Sequence, residues 1–166
     1  MASALGVSTT AMELPQRRGP RPRTTSRNPH TQLDQQPTDP GVRERLVAAL
    51  SQLPSVFWRP SAISVPGAAA LWLEAADARG PATAFLIERE FAHLHPAPDL
   101  SLHVMVPPAL ADVVVAQGWG EPHPVARLGL IPPTAVMVYA PRDDGERAVV
   151  EAVVAASHRY ATGALD

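Results

Sequence analysis

A chain of 166 residues with a 46% apolar share and a formal charge of −2 fits one domain of ordinary size with room for a tail. A charge this close to zero argues against a nucleic-acid partner, and the absence of Cys excludes a disulfide framework, a thiolate zinc site and thiol catalysis. No apolar run approaches the roughly 20 residues that span a bilayer, and the N-terminus lacks a charged start followed by an apolar segment, so the expectation is a soluble cytoplasmic protein with no membrane partner.

Residues 1 to 38 carry Ser, Thr, Pro and Gln with Arg17, Arg18, Arg21, Arg23 and Arg27, and no sustained apolar pattern. Such a segment buries too little surface to offset its ordering entropy, so it reads as a disordered, solvated tail, leaving a single domain over 39–163. In "DPGVRERLVAALSQLP" Asp39 is placed to cap, Pro40 suits the first turn, and Leu46, Ala49, Leu50 and Leu53 recur at helical spacing until Pro54 stops them. From Ser61 to Val106 the period becomes two, broken by "PG", "RGP" and "PAPD" into strands over about 61–65, 69–75, 82–88, 90–95 and 101–106.

"PPALADVVVAQG" starts on Pro and ends on Gly118, predicting a second helix over about 108–117. "AVMVYA" at 135–140 reads as a strand. "DDGERAVVEAVVAASHRYA" reads as a helix opened by a capping box, Asp143 to Glu146, with Val149, Ala152, Val153, Ala156 and Tyr160 on one stripe. Strands first and helices later predict an α+β domain: a two-layer sandwich of an antiparallel β-meander with helices packed on one face, the other face being free to hold a ligand.

Three of the six histidines, His93, His95 and His103, fall in "FAHLHPAPDLSLHVMV". Alternation puts Phe91, His93 and His95 on one face and Ala92 and Leu94 on the other, while Ser101, His103 and Met105 oppose Leu102 and Val104. A four-residue turn would mix polar and apolar partners. A five-residue turn, 96–100, pairs His93 with His103, His95 with Ser101 and Phe91 with Met105, and leaves a clean apolar face, so this register is expected. It brings the His93 and His103 Cβ atoms roughly 5 Å apart, where two imidazoles cannot both be cheaply charged and one is left neutral as a base, donor or metal ligand. The plain alternative is three solvated histidines on a wet sheet face.

A second cluster is "GWGEPHP", where Trp119, Glu121 and His123 sit between Gly and Pro in a loop. Together "HLHP", "DLSLHVMVP", "GWGEPHP", "VMVYAPRD" and "AASHRYATG", over roughly residues 55 to 163, resemble the luciferase-domain family, which groups fungal luciferases with many small bacterial proteins. In many members the hairpin turn reads Asp-Gly-Ser-Leu-His, whereas Leu100 stands here in place of that Gly. The resemblance implies an α-pyrone-type substrate, molecular oxygen and no added cofactor for the fungal members, with His93, His95, Ser101, His103, Trp119, Glu121, His123, Tyr139 and Arg142 at the matching positions. Kinship of fold does not fix chemistry.

A cofactor-independent oxygenase for a flat hydroxylated ring, of the kind found in secondary metabolism, needs a base, positive groups to hold the resulting anion, and apolar walls. His93 or His103 suits the base, Arg142 with a neighbouring imidazolium suits the anion, and Phe91, Met105 and Trp119 suit ring stacking, with Ser101, Glu121, His123 and Tyr139 completing the contacts. Two other readings remain open: a His-ligated iron, manganese or zinc site drawn from His93, His95, His103 and His123, and a module that binds an aromatic metabolite or a protein without turnover. Glu88 and Glu90 read as solvated surface carboxylates. Ser157 and His158, being adjacent on a helix, point about 100° apart and form no catalytic pair.

Overall fold

The computed structural model describes residues 12–165. Six strands form one open sheet: β1 (Val56–Pro60), β2 (Ala69–Leu73), β3 (Glu90–Leu94), β4 (Leu102–Met105), β5 (Gly120–Pro122) and β6 (Ala135–Val138), in the spatial order β1-β2-β3-β4-β6-β5. Every pairing is antiparallel. Four helices accompany them: α1 (Gly41–Leu50), α2 (Pro108–Ala116), the short α3 (Pro124–Arg127) and α4 (Asp144–Ala161). Leu46 and Leu50 of α1, Leu110 and Val114 of α2, and Val150, Val153 and Val154 of α4 share one buried cluster with Leu71, Leu73, Leu94, Leu102, Val104, Val136 and Val138 of the sheet. The domain is therefore α+β, with the three long helices packed on one sheet face. Asp143 caps α4 as its spacing predicts, its carboxylate accepting from Glu146 N at 2.9 Å.

The hairpin register is the one the alternation demands: Ala92 faces Val104, His93 faces His103 and Leu94 faces Leu102, while His95 N donates to Ser101 O at 2.9 Å. Leu100 takes φ +63° in the turn, the left-handed backbone that Gly adopts without strain. Two of the expected strands do not form. Residues 61–65 make a loop, because the Ser61 hydroxyl accepts from Ser64 N at 3.0 Å and folds the backbone into a local turn. Residues 82–88 begin with a 3-10 turn (Ala82–Ala84) and end in a tight turn in which Glu90 N donates to Ile87 O at 2.9 Å. The strands β1 and β5, neither expected, occupy the two edges.

The largest departure is in the N-terminal segment. Residues 1–11 lie outside those described, but 12–38 are not a solvated tail. Leu14, Arg17, His30 and Gln32 are buried, and the segment straps the end of the sheet through polar bonds. Arg17 N donates to Gln117 O at 2.9 Å, Arg21 Nη1 to Gly120 O at 2.7 Å, and Gln32 N to Asp99 Oδ1 at 2.9 Å. A segment poor in apolar residues is thus held by hydrogen bonds to groups of the folded domain.

Candidate active site

On the sheet face opposite the helices, one cross-strand row runs Ala70, His93, His103, Met137 and Glu121 from β2 to β5. His93, His95 and His103 are each at most 4% exposed, which rules out the wet-face reading. Above them the strap brings in His30, and the residue before α3 brings in His123. The five rings lie against one another: centroids are 5.0 Å apart for His93 and His103, 4.6 Å for His95 and His103, 4.4 Å for His103 and His123, and 5.3 Å for His30 and His123. They line a cavity of about 470 Å³ whose other walls include Ile63, Val65, Leu86, Val125 and Ile131.

Three carboxylates orient the rings. Glu90 Oε1 accepts from His93 Nδ1 at 2.7 Å, Asp99 Oδ2 from His95 Nδ1 at 2.5 Å, and Glu121 Oε1 from His30 Nε2 at 2.7 Å. Each carboxylate is itself pinned. Glu90 receives the Ser61 hydroxyl at 2.7 Å and Ala62 N at 3.0 Å. Asp99 receives the Ser101 hydroxyl at 2.6 Å. Glu121 receives the hydroxyls of Thr24 at 2.7 Å and Tyr139 at 2.9 Å. A carboxylate only accepts, so these bonds fix the tautomers: His93 and His95 hold their hydrogens on Nδ1 and turn Nε2 lone pairs inward. His123 is the reverse. Its Nδ1 accepts from Val125 N at 3.1 Å, so the neutral ring carries its hydrogen on Nε2 and is a donor.

Burial disfavours the charged form of three of the rings. It pushes His103 well below its ordinary value, with the neighbouring imidazoles adding to the effect. It lowers His93 despite the opposing pull of Glu90, and it brings His123 down to about 4. For Glu121 burial alone would raise the carboxyl, but bonds from His30, Thr24 and Tyr139 hold it below the usual range. Tyr139 is pushed up to about 12, mainly by burial, and so stays a hydroxyl donor.

Of the residues expected at the site, His93, His95, His103 and His123 line the cavity, with Ser101 at 3.2 Å from His95 Nδ1 and Glu121 and Tyr139 behind His30. Four others are elsewhere. Phe91 points to the helix layer, its ring 6.0 Å from that of His158, because the β2–β3 register shifts between Leu71 and Trp72 and puts Glu90 opposite Trp72. Trp119 plugs the end of the core, its indole N–H donating to Pro15 O at 2.6 Å. Met105 is fully buried and does not line the cavity. Arg142 is taken up by Glu146, at 2.9 Å through Nε, and by Arg18 O at 2.7 Å, so it cannot steady an anion in the pocket. Two functional positions escaped the sequence reading. Glu90, taken for a surface group, is fully buried, and a count of alternation that allowed for a bulge would have found it. His30 carries no local signal at all.

Fold and site together define a small α+β domain built around a pocket of carboxylate-oriented imidazoles. Residues 88–157 match the family described as the luciferase domain, so the resemblance drawn from the motifs holds over that segment. Over 90% of its length the chain is 35% identical to a luciferase of Armillaria ostoyae and 34% identical to one of Armillaria gallica. A shorter match, 42% identical over 77 residues, links it to a luciferase of Neonothopanus nambi. The chain spans 62% of the length of each of the two Armillaria proteins. No solved structure matches it. Among the described residues no helix is long and apolar enough to cross a membrane.

Proposed function

We propose that this protein is a small-molecule enzyme that oxygenates a flat, hydroxylated ring in the imidazole pocket. The single observation that carries the reading is a cavity that pairs inward imidazole lone pairs with an imidazole N–H donor and is flanked by apolar side chains; the likeness to luciferases supports the reaction class. In the reaction a lone-pair nitrogen takes the ring hydroxyl proton. The Nε2–H of His123, a neutral ring with its pKa near 4, then donates to the ring oxyanion without holding a charge of its own. The anion gives an electron pair to molecular oxygen, forming a C–O bond as the O–O π bond breaks, and the resulting peroxide takes up one proton. Ile63, Val65, Leu86, Val125 and Ile131 give the ring an apolar flank to lie against.

Hydroxylated pyrones and catechols, screened by tryptophan fluorescence and then by oxygen uptake, test this. At least one ring is expected to consume oxygen with wild type, and His123→Ala is expected to slow that uptake about 10²- to 10³-fold, the typical cost of one oxyanion donor. Tight binding without uptake would make the domain a binding module, and equal uptake by both proteins would remove His123 from the mechanism.

A further inference from the structure

The hydrogen bonds among the imidazoles run without a break from one carboxylate to another. Glu90 meets His93 Nδ1 at 2.7 Å, His93 Nε2 meets His103 Nδ1 at 3.0 Å, His103 Nε2 meets His30 Nδ1 at 3.3 Å, and His30 Nε2 meets Glu121 at 2.7 Å. With one hydrogen each, the three rings carry three N–H groups, but this line has four contacts to fill. Both terminal contacts must hold a hydrogen, since carboxylates only accept. With His30 donating to Glu121 from Nε2, its Nδ1 is an acceptor, and His103 donates to it from Nε2. Every hydrogen is then placed, and the lone pairs of His93 Nε2 and His103 Nδ1 face each other at 3.0 Å.

Two facing lone pairs repel unless a cation joins them. One added proton would satisfy two nitrogens, but a third points the same way: His95, whose Nδ1–H is given to Asp99, turns its Nε2 toward them, and the ligand atoms of the three rings lie within 4.8 Å of one another. Their centroids are separated by 5.0, 5.3 and 4.6 Å. That matches three imidazoles on one ion, since N–metal bonds of about 2.0–2.1 Å put the ring centres roughly 5 Å apart. The outer partners fit as well, because metal-bound histidines characteristically give their other N–H to a carboxylate or a further acceptor. Here those acceptors are Glu90, Asp99 and, through His30, Glu121.

We propose that His93 Nε2, His95 Nε2 and His103 Nδ1 bind one divalent first-row transition-metal ion of the zinc or iron(II) class, with coordination positions left open toward the cavity. His123, whose Nδ1 is occupied by Val125 N–H, is not a ligand, so the metal set suggested by the sequence loses one member. The site does not depend on the proposed function, and where both hold the ion takes over the step given there to a lone-pair nitrogen. With Arg142 committed elsewhere, no Arg among the described residues lines the cavity, and an ion would supply both the positive charge and the hydroxyl acidity that the reaction requires, in place of the side-chain base and of the cofactor-free expectation.

Tag-free protein, stripped with a chelator and titrated with cobalt(II) chloride, reads the site directly by its visible d–d absorption. Expected is saturation at one ion per chain, loss of the band at equimolar cobalt in His95→Ala, and wild-type binding in His158→Gln, which alters the one histidine outside the pocket. Asp99→Asn, which turns an amide donor toward His95 and favours the tautomer without the inward lone pair, is expected to weaken cobalt about 10- to 100-fold, and serves if His95→Ala does not fold. Absence of a saturable band, or a band unmoved by both pocket variants, overturns the site. Oxygen uptake at full rate by chelator-stripped protein overturns it too while leaving the proposed function standing; cobalt binding with no ring oxidised does the opposite.

Discussion

At the scale of the residue, Phe91 and Glu90 exchange the roles their positions suggest. Simple alternation puts Phe91 beside His93, yet the bulge opposite Leu71 and Trp72 adds one residue to β3, so Glu90 comes into phase with the histidines and Phe91 turns to α4. Nothing local announces that bulge: no Gly or Pro marks it, and the cause lies in the partner strand and in the Ser61 turn that pins the Glu90 carboxylate. Phe91 is 0% exposed, so Phe91→Ala is expected to lower stability by about 3–5 kcal/mol while ligand affinity of the surviving folded protein stays at the wild-type value. Denaturant unfolding beside a fluorescence titration checks both halves, and a stable variant that no longer binds would return Phe91 to the pocket. The hairpin histidines were legible because each strand has one apolar face to bury, which ties every side chain to the register. His30 was not, since its place depends on contacts with Glu121 and His103 far along the chain.

At the scale of the element, long periodic segments declared themselves and short edge strands did not. The helices α1, α2 and α4 carry their caps or Pro starts and apolar stripes in sequence, whereas β5 is a strand of three residues that exists because its backbone pairs with β6. Its first residue shows how close that pairing is. A Cβ built on Gly120 would stand 2.1 Å from Met137 O and 3.0 Å from Val114 Cγ1, a clash with backbone that no side-chain motion relieves. Gly120→Ala must push β5 away from β6 and from α2, and it carries the neighbouring Glu121 with it. A loss of about 2–3 kcal/mol is expected, which for a chain of this size is a fall in melting temperature on the order of 5–10 °C. Thermal unfolding by circular dichroism measures it. An unchanged melting temperature would mean that β5 is free to shift and does not hold Glu121 under His30.

At the scale of the whole molecule, the sheet, α3 and the N-terminal strap enclose five imidazoles, and the cost of charging His93, His103 and His123 couples the site to the stability of the fold. His123 has an ordinary value of 6.5 and is held near 4 in the folded protein; His103 and His93 are displaced the same way. Between pH 6.5 and pH 4 the unfolded chain therefore binds more protons than the folded one, so stability rises with pH across that window and is fully present above it. Asp99 and Glu121, held below the usual carboxylate range, act in the same sense at the acid end, because their contribution is lost as pH falls through their folded values. The urea midpoint is expected to be level from pH 8 to pH 7 and to fall steadily from about pH 6.5 toward pH 4. Replacing His123 by Gln, which has no proton to gain, should make that fall shallower. A midpoint that holds constant down to pH 4.5 would mean that His93, His103 and His123 accept protons as readily as exposed rings, and their lone pairs and the His123 N–H donor would have to be given up.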